Sequence, residues 1–128
     1  QLKDDFGAKM LEHVKILDRI LSDWDEGGFL AQYPAEMVAF SMDFALYDAI
    51  KLDDTSYRAV AEALAGVLGR YWGAGEVARL DLAPATRRMA LAACYRTDLG
   101  NVARKRLALD YYAQQHGRKA ALRRLLRG

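Results

Sequence analysis

A chain of 128 residues with 52% apolar residues, two Trp, seven Tyr and four Phe has enough buriable surface for a single packed domain spanning 1–128, which excludes intrinsic disorder. One cysteine, Cys94, excludes an internal disulfide framework, and no apolar run approaches the roughly 20 residues of a membrane span. The net charge of +2 conceals an asymmetry: residues 1–64 hold 6 Lys/Arg and 13 Asp/Glu, a net of −7, and residues 65–128 hold 13 and 4, a net of +9. Such a split points to a polyanionic partner or to halves that attract each other.

The first helix is expected from about Lys3 to Leu21, because Phe6, Met10, Val14, Leu17 and Leu21 recur every three or four residues, with Ile16 and Ile20 widening the face. Asp4 and Asp5 fall in its first turn, where the helix dipole favours negative charge. Asp23-Trp24-Asp25-Glu26-Gly27-Gly28 reads as an acidic loop, and Phe29, Leu30 and Tyr33 are expected to fold back on the core.

A second helix is expected from Pro34 to about Ile50 or Lys51, since Pro suits the first helical position. Met37, Val38, Phe40, Met42, Phe44, Ala45, Leu46 and Ile50 leave only the stripe Glu36, Asp43, Tyr47 and Lys51 for solvent, so this helix should be central. A third helix follows the start signal Asp53-Asp54-Thr55 and runs to about Trp72, with Gly73 and Gly75 as its stop. A fourth is expected over Ala85 to about Thr97, with Met89, Leu91, Ala92 and Tyr95 as its apolar side. A fifth spans Val102 to His116, and Gly117 separates it from a short last helix, Arg118 to Arg127. No period-two pattern competes. The expected fold is an all-α, single-domain helical bundle of five to six helices around a central apolar helix.

Chemistry-bearing patterns fail on spacing. Counted from Asp23 as a calcium loop, position five is Gly27 and position twelve is Pro34, which cannot serve as ligands. His13 and His116 lack partners at metal-ligand spacing, and no Glu-x-x-His pair occurs. Ser22, Ser41 and Ser56 sit in no nucleophile elbow, and Gly73-Ala74-Gly75 follows a helix and not a strand, so it is no dinucleotide loop. Cys94, between alanines and Tyr95, reads as a small buried hydrophobe, and His13 as a rim residue. Asp43 in the most apolar helix is the carboxylate whose desolvation would mark a site, but its stripe mates Glu36 and Lys51 place it on a solvated face. No catalytic residue, metal or cofactor is expected.

The strongest pattern is basic. Arg104, Lys105, Arg106, Lys119, Arg123, Arg124 and Arg127, with Arg118, face a single acid, Asp110, between Asn101 and Gly128. On the last helix Ala121, Leu122, Leu125 and Leu126 oppose the cations, and Tyr111, Tyr112, Gln114 and Gln115 lie just upstream. Those seven cations are the expected contacts for nucleic acid or another polyanion. A solvated basic face beside a protein-binding surface explains them slightly better. The expected function is a non-enzymatic helical interaction module, a regulatory protein or subunit of a larger assembly that binds a protein partner or itself. The alternative is a nucleic-acid-binding regulatory protein. A cytoplasmic location without membrane contact completes the expectation, since neither a signal-peptide pattern nor an apolar run of membrane-spanning length occurs.

Overall fold

The computed structural model describes residues 2–127, with side chains from Phe6 onward, so Gln1 and the side chains of Asp4 and Asp5 lie outside the described residues. Helix α1 (Leu2–Glu26) carries Met10, Val14, Leu17 and Leu21 into the core, as their spacing requires, while Phe6 and Ile16 stay exposed. Its length corrects the expected acidic loop. Asp23, Asp25 and Glu26 are helical, and the chain turns only at Gly27-Gly28, where Gly28 takes φ +82°, a conformation glycine adopts without a Cβ clash. In the short α2 (Phe29–Gln32) Leu30 alone reaches the core, and Phe29 and Tyr33 remain in solvent.

Pro34 opens α3 (Pro34–Ser41), which runs without interruption of the rod into a π-helical segment (Met42–Leu46) and α4 (Tyr47–Ala49). The Ser41 hydroxyl donates to the Met37 carbonyl at 2.8 Å, and beyond it the backbone ladder widens, with the Tyr47 N–H reaching back five residues to the Met42 carbonyl. Val38, Met42, Ala45, Leu46, Ala49 and Ile50 are all buried, and the rod touches α1, α5 (Asp54–Tyr71) and α7 (Pro84–Cys94). It is the central apolar helix of an all-α fold.

The Asp53 carboxylate caps α5 by accepting from the Ser56 N–H at 2.8 Å. Gly73 ends that region, but Gly75 lies inside a further short helix, α6 (Ala74–Ala78), whose start is held by the Glu76 carboxylate on the Gly73 N–H at 3.2 Å. Arg87 ties the end of α6 to α7 by donating to the Leu80 carbonyl at 2.9 Å and to the Ala78 carbonyl. Helix α7 stops three residues before Thr97. Arg96 adopts φ +53°, and the Thr97 N–H returns to the Ala92 carbonyl at 2.9 Å, the αL stop that glycine usually supplies. Tyr95 is therefore exposed, and Ala85, Met89, Ala90 and Ala93 form the buried side.

Helix α8 (Asn101–His116) packs on α7, and α9 (Arg118–Arg127) folds back on α8. With α2, α6 and the π-helical interruption, the described residues contain more helical segments than the expected five to six. One buried cluster joins α1, the Pro34–Ala49 rod, α5, α6, α7 and α8. No described helix is long and apolar enough to cross a membrane.

Candidate interaction surface

The C-terminal basic segment divides into three groups of residues. The first contains one side chain that the fold takes out of solvent. Arg104 is 1% exposed. Its guanidinium donates to the carbonyls of Leu99 at 2.7 Å, Leu52 at 3.1 Å and Ile50 at 3.3 Å, and to the Asp54 carboxylate at 2.7 Å. It also lies over the Tyr57 ring, 4.6 Å from the centroid. A planar fork with five donors suits a point where the end of the central rod, the start of α5 and the approach to α8 converge with their carbonyls inward. Arg104 is thus a tie between segments and offers nothing to a polyanion, which corrects its place among the expected contacts.

The second group lines a groove. Lys105 and Arg106 on α8 and Arg124 on α9 are exposed and stand around a cavity of about 650 Å³ with Ile50, Leu109, Tyr112 and Leu125 in its walls. Tyr47 and Lys51, from α4 and the turn after it, close the opposite side, and the Lys51 ammonium sits 3.9 Å over the Tyr47 ring. Arg124 covers the Tyr112 ring at 4.7 Å, which fixes its head at the groove edge. The lining contains four cations and no carboxylate. Asp48 and Asp110 stand just behind, 3.7 Å from Lys51 and 3.9 Å from Arg106, and Asp110 also holds Arg88 at 2.9 Å.

The third group, Lys119, Arg123 and Arg127, with Arg118, is exposed on α9 and forms no ion pair among the described residues. Elsewhere the charge asymmetry is partly consumed inside the molecule. Arg70 pairs with Asp18 at 2.5 Å, Arg96 with Glu62 at 2.6 Å and Arg104 with Asp54, each joining the basic half to the acidic half.

The apolar side of α9 is largely uncovered. Ala121 is buried against α8, but Leu122, Leu125 and Leu126 are exposed, Leu126 to 78%, and Val102 on α8 reaches 82%. The reason lies in the link. Gly117 takes φ +92°, and its N–H and carbonyl engage the Ala113 carbonyl at 2.7 Å and the Ala121 N–H at 3.1 Å, so α9 turns sharply and meets α8 through its small residue. An amphipathic helix whose leucines face solvent beside an apolar groove is an unpartnered surface.

The upstream polar residues are committed inward. Tyr111 is buried, packs against the Tyr47 ring in a tilted contact at 4.7 Å and donates to Asp43 at 2.8 Å. Gln114 caps α7 by accepting from the Ala85 N–H at 2.7 Å while donating to the Thr86 hydroxyl at 2.8 Å. Asp43 itself is exposed, as its stripe implied, with Tyr111 as the partner that sequence spacing does not reveal. His13 is half-buried against the Phe44 ring at 5.2 Å, and its Nδ1 is buried with no hydrogen-bond partner among the described residues. Burial pushes the Cys94 thiol up, away from thiolate character. Among the described residues no group of three or more His, Cys, Asp or Glu is placed to hold a metal ion.

The groove's α4 wall and the bare leucines escape sequence reasoning. The run Leu122, Leu125 and Leu126 on the last helix is the one signal that could have found the latter. No known protein family, curated protein or solved structure matches the chain.

Proposed function

We propose that this chain is a non-enzymatic helical interaction module, a regulatory protein or subunit of a larger assembly, that works through protein contacts at the α8–α9 face. The observation that carries the reading is the exposure of Leu122, Leu125 and Leu126 beside a concave groove walled by Ile50, Leu109 and Tyr112. A concave apolar site takes inserted side chains, the mode by which partner helices and loops dock, and its cationic margin supplies orientation and selectivity.

A second reading, nucleic-acid binding, is favoured by Lys119, Arg123 and Arg127, which have no ion-pair partner among the described residues. The removal of Arg104, Tyr111 and Gln114 to internal roles leaves that reading with cations and little to stack or recognise bases. Phosphates also give the exposed leucines no partner.

The test places a photo-crosslinking amino acid at Leu122 or Leu125 in the native host, with Glu12 on α1 as a control position. Discrete protein adducts from the α9 positions and none from Glu12 are expected. Adducts to nucleic acid, or no adducts, overturn the reading.

A further inference from the structure

The molecule carries a second surface whose chemistry is the inverse of the groove. At the end of α1, Asp23, Asp25 and Glu26 are exposed, and none forms an ion pair among the described residues. The Gly28 turn immediately after them leaves Phe29 47% exposed, so an aromatic ring stands next to a cluster of carboxylates. The groove offers the complement: apolar walls from Ile50, Leu109 and Leu125 within a margin of Lys105, Arg106 and Arg124. The two surfaces share no residue.

We infer that the occupant of the groove is a second copy of this chain, which presents its α1–α2 corner, with Phe29 as the inserted side chain and Asp25 and Glu26 meeting Arg106 and Arg124. The inference rests on the proposed interaction-module function and names its partner. Charge complementarity argues for this pairing over a face-to-face contact of two α9 helices, because α9 carries no carboxylate to meet Arg106 and Arg124. A corner set into a groove is a head-to-tail contact. A bound pair still exposes one free corner and one free groove, so association grows stepwise with concentration or closes into a ring. Opposite charges at the margin make it sensitive to salt.

Sedimentation velocity of the full chain over a range of concentrations tests this. The average mass of the wild type is expected to rise with concentration at low salt and less so at high salt. Asp25→Lys/Glu26→Lys and Arg106→Glu/Arg124→Glu, each verified as folded by circular dichroism, are each expected to stay monomeric alone. Mixed in equal amounts they are expected to associate again, because each brings a surface that the other can receive. Phe29→Ser, which leaves every charge in place, is expected to weaken association about tenfold or more. A wild type that is monomeric throughout, a corner variant that associates like wild type, or a mixture that stays monomeric overturns the inference. Adducts from Leu125 to a different protein in the host, with a monomeric wild type, sink self-pairing and leave the interaction-module reading standing. No adducts and no association sink both.

Discussion

Tyr111 on α8 donates its hydroxyl hydrogen to Asp43 in the π-helical segment across 2.8 Å, so a buried phenol and an exposed carboxylate pin α8 to the central rod. Burial first, and then the hydrogen bond and charge of Asp43, push the Tyr111 hydroxyl above the usual tyrosine range. Tyr71 is raised by burial and by Asp18, and Tyr57 by burial against the opposing Arg104 charge. Each folded tyrosine keeps its proton where the unfolded chain, near pH 10, releases it. The folded state therefore binds more protons above that pH, and its stability is full below pH ~10 and falls as pH rises beyond it. Denaturant midpoints measured from neutral pH into the alkaline range are expected to show this decline. Tyr111→Phe is expected to make the decline shallower while lowering neutral stability by about 1 kcal/mol for the lost hydrogen bond.

Arg104→Ala is expected to cost about 3–5 kcal/mol in urea unfolding, because it strips a buried charge from three carbonyls and Asp54 and leaves the carbonyls unsatisfied. Arg104→Lys is expected to recover only part of this, since one ammonium cannot span four acceptors in the fork geometry. A wild-type-like midpoint for the alanine variant would contradict the tie described above.

Arg96 holds φ +53° without the freedom of glycine. Arg96→Gly relieves a left-handed conformation worth roughly 1–2 kcal/mol. It also loses an ion pair with Glu62 that is exposed and contributes little, together with some unfolded-chain entropy. A net gain of about 0.5–1 kcal/mol, read as a thermal midpoint a few degrees higher, is expected.

The leucines of α9 and those of the core should respond in opposite ways. Leu126→Ser is expected to change stability by less than about 0.5 kcal/mol and to lower the fluorescence of a bound hydrophobic dye. Leu64→Ala, in a fully buried position, is expected to cost about 2–5 kcal/mol. A large loss from Leu126→Ser would mean that α9 is covered.

Fluorescence anisotropy with labelled single-stranded and duplex nucleic acid at two salt concentrations separates the two functional readings. Weak binding at low salt that vanishes at physiological salt is the outcome expected of a bare cationic helix. Binding that persists at physiological salt, and is lost when Arg123, Arg124 and Arg127 are neutralised, would transfer the function to nucleic acid.

Helical periodicity made most of the fold legible: the stripe from Met10 to Leu21, the apolar rod after Pro34 and the Asp53 cap all stand where spacing puts them. Composition misled where local polarity competed with helix continuation, as at Asp23–Glu26, whose acids ride on the solvent side of α1. Residue type also says nothing of coverage. The same periodicity that buries Leu64 leaves Leu125 exposed, because α9 follows the Gly117 turn and, among its described residues, buries Ala121 alone. Arg104 reads as one more cation until the loop carbonyls that surround it are assembled from residues some fifty positions away.

The π-helical segment also bears on how this chain tolerates change in length. Tyr47, Ile50 and Lys51 face α8 because one widened turn precedes them. That turn holds one residue more than an α-helical turn, so deleting a single residue within 42–46 would let ordinary helical pairing resume while leaving Tyr47, Ile50 and Lys51 on the side of α8. In a regular helix such as α5 the same deletion has no widened turn to take it up and would swing everything after it by roughly 100° about the axis. Sequences descended from this one should therefore lose a residue within 42–46 more readily than within a regular helix.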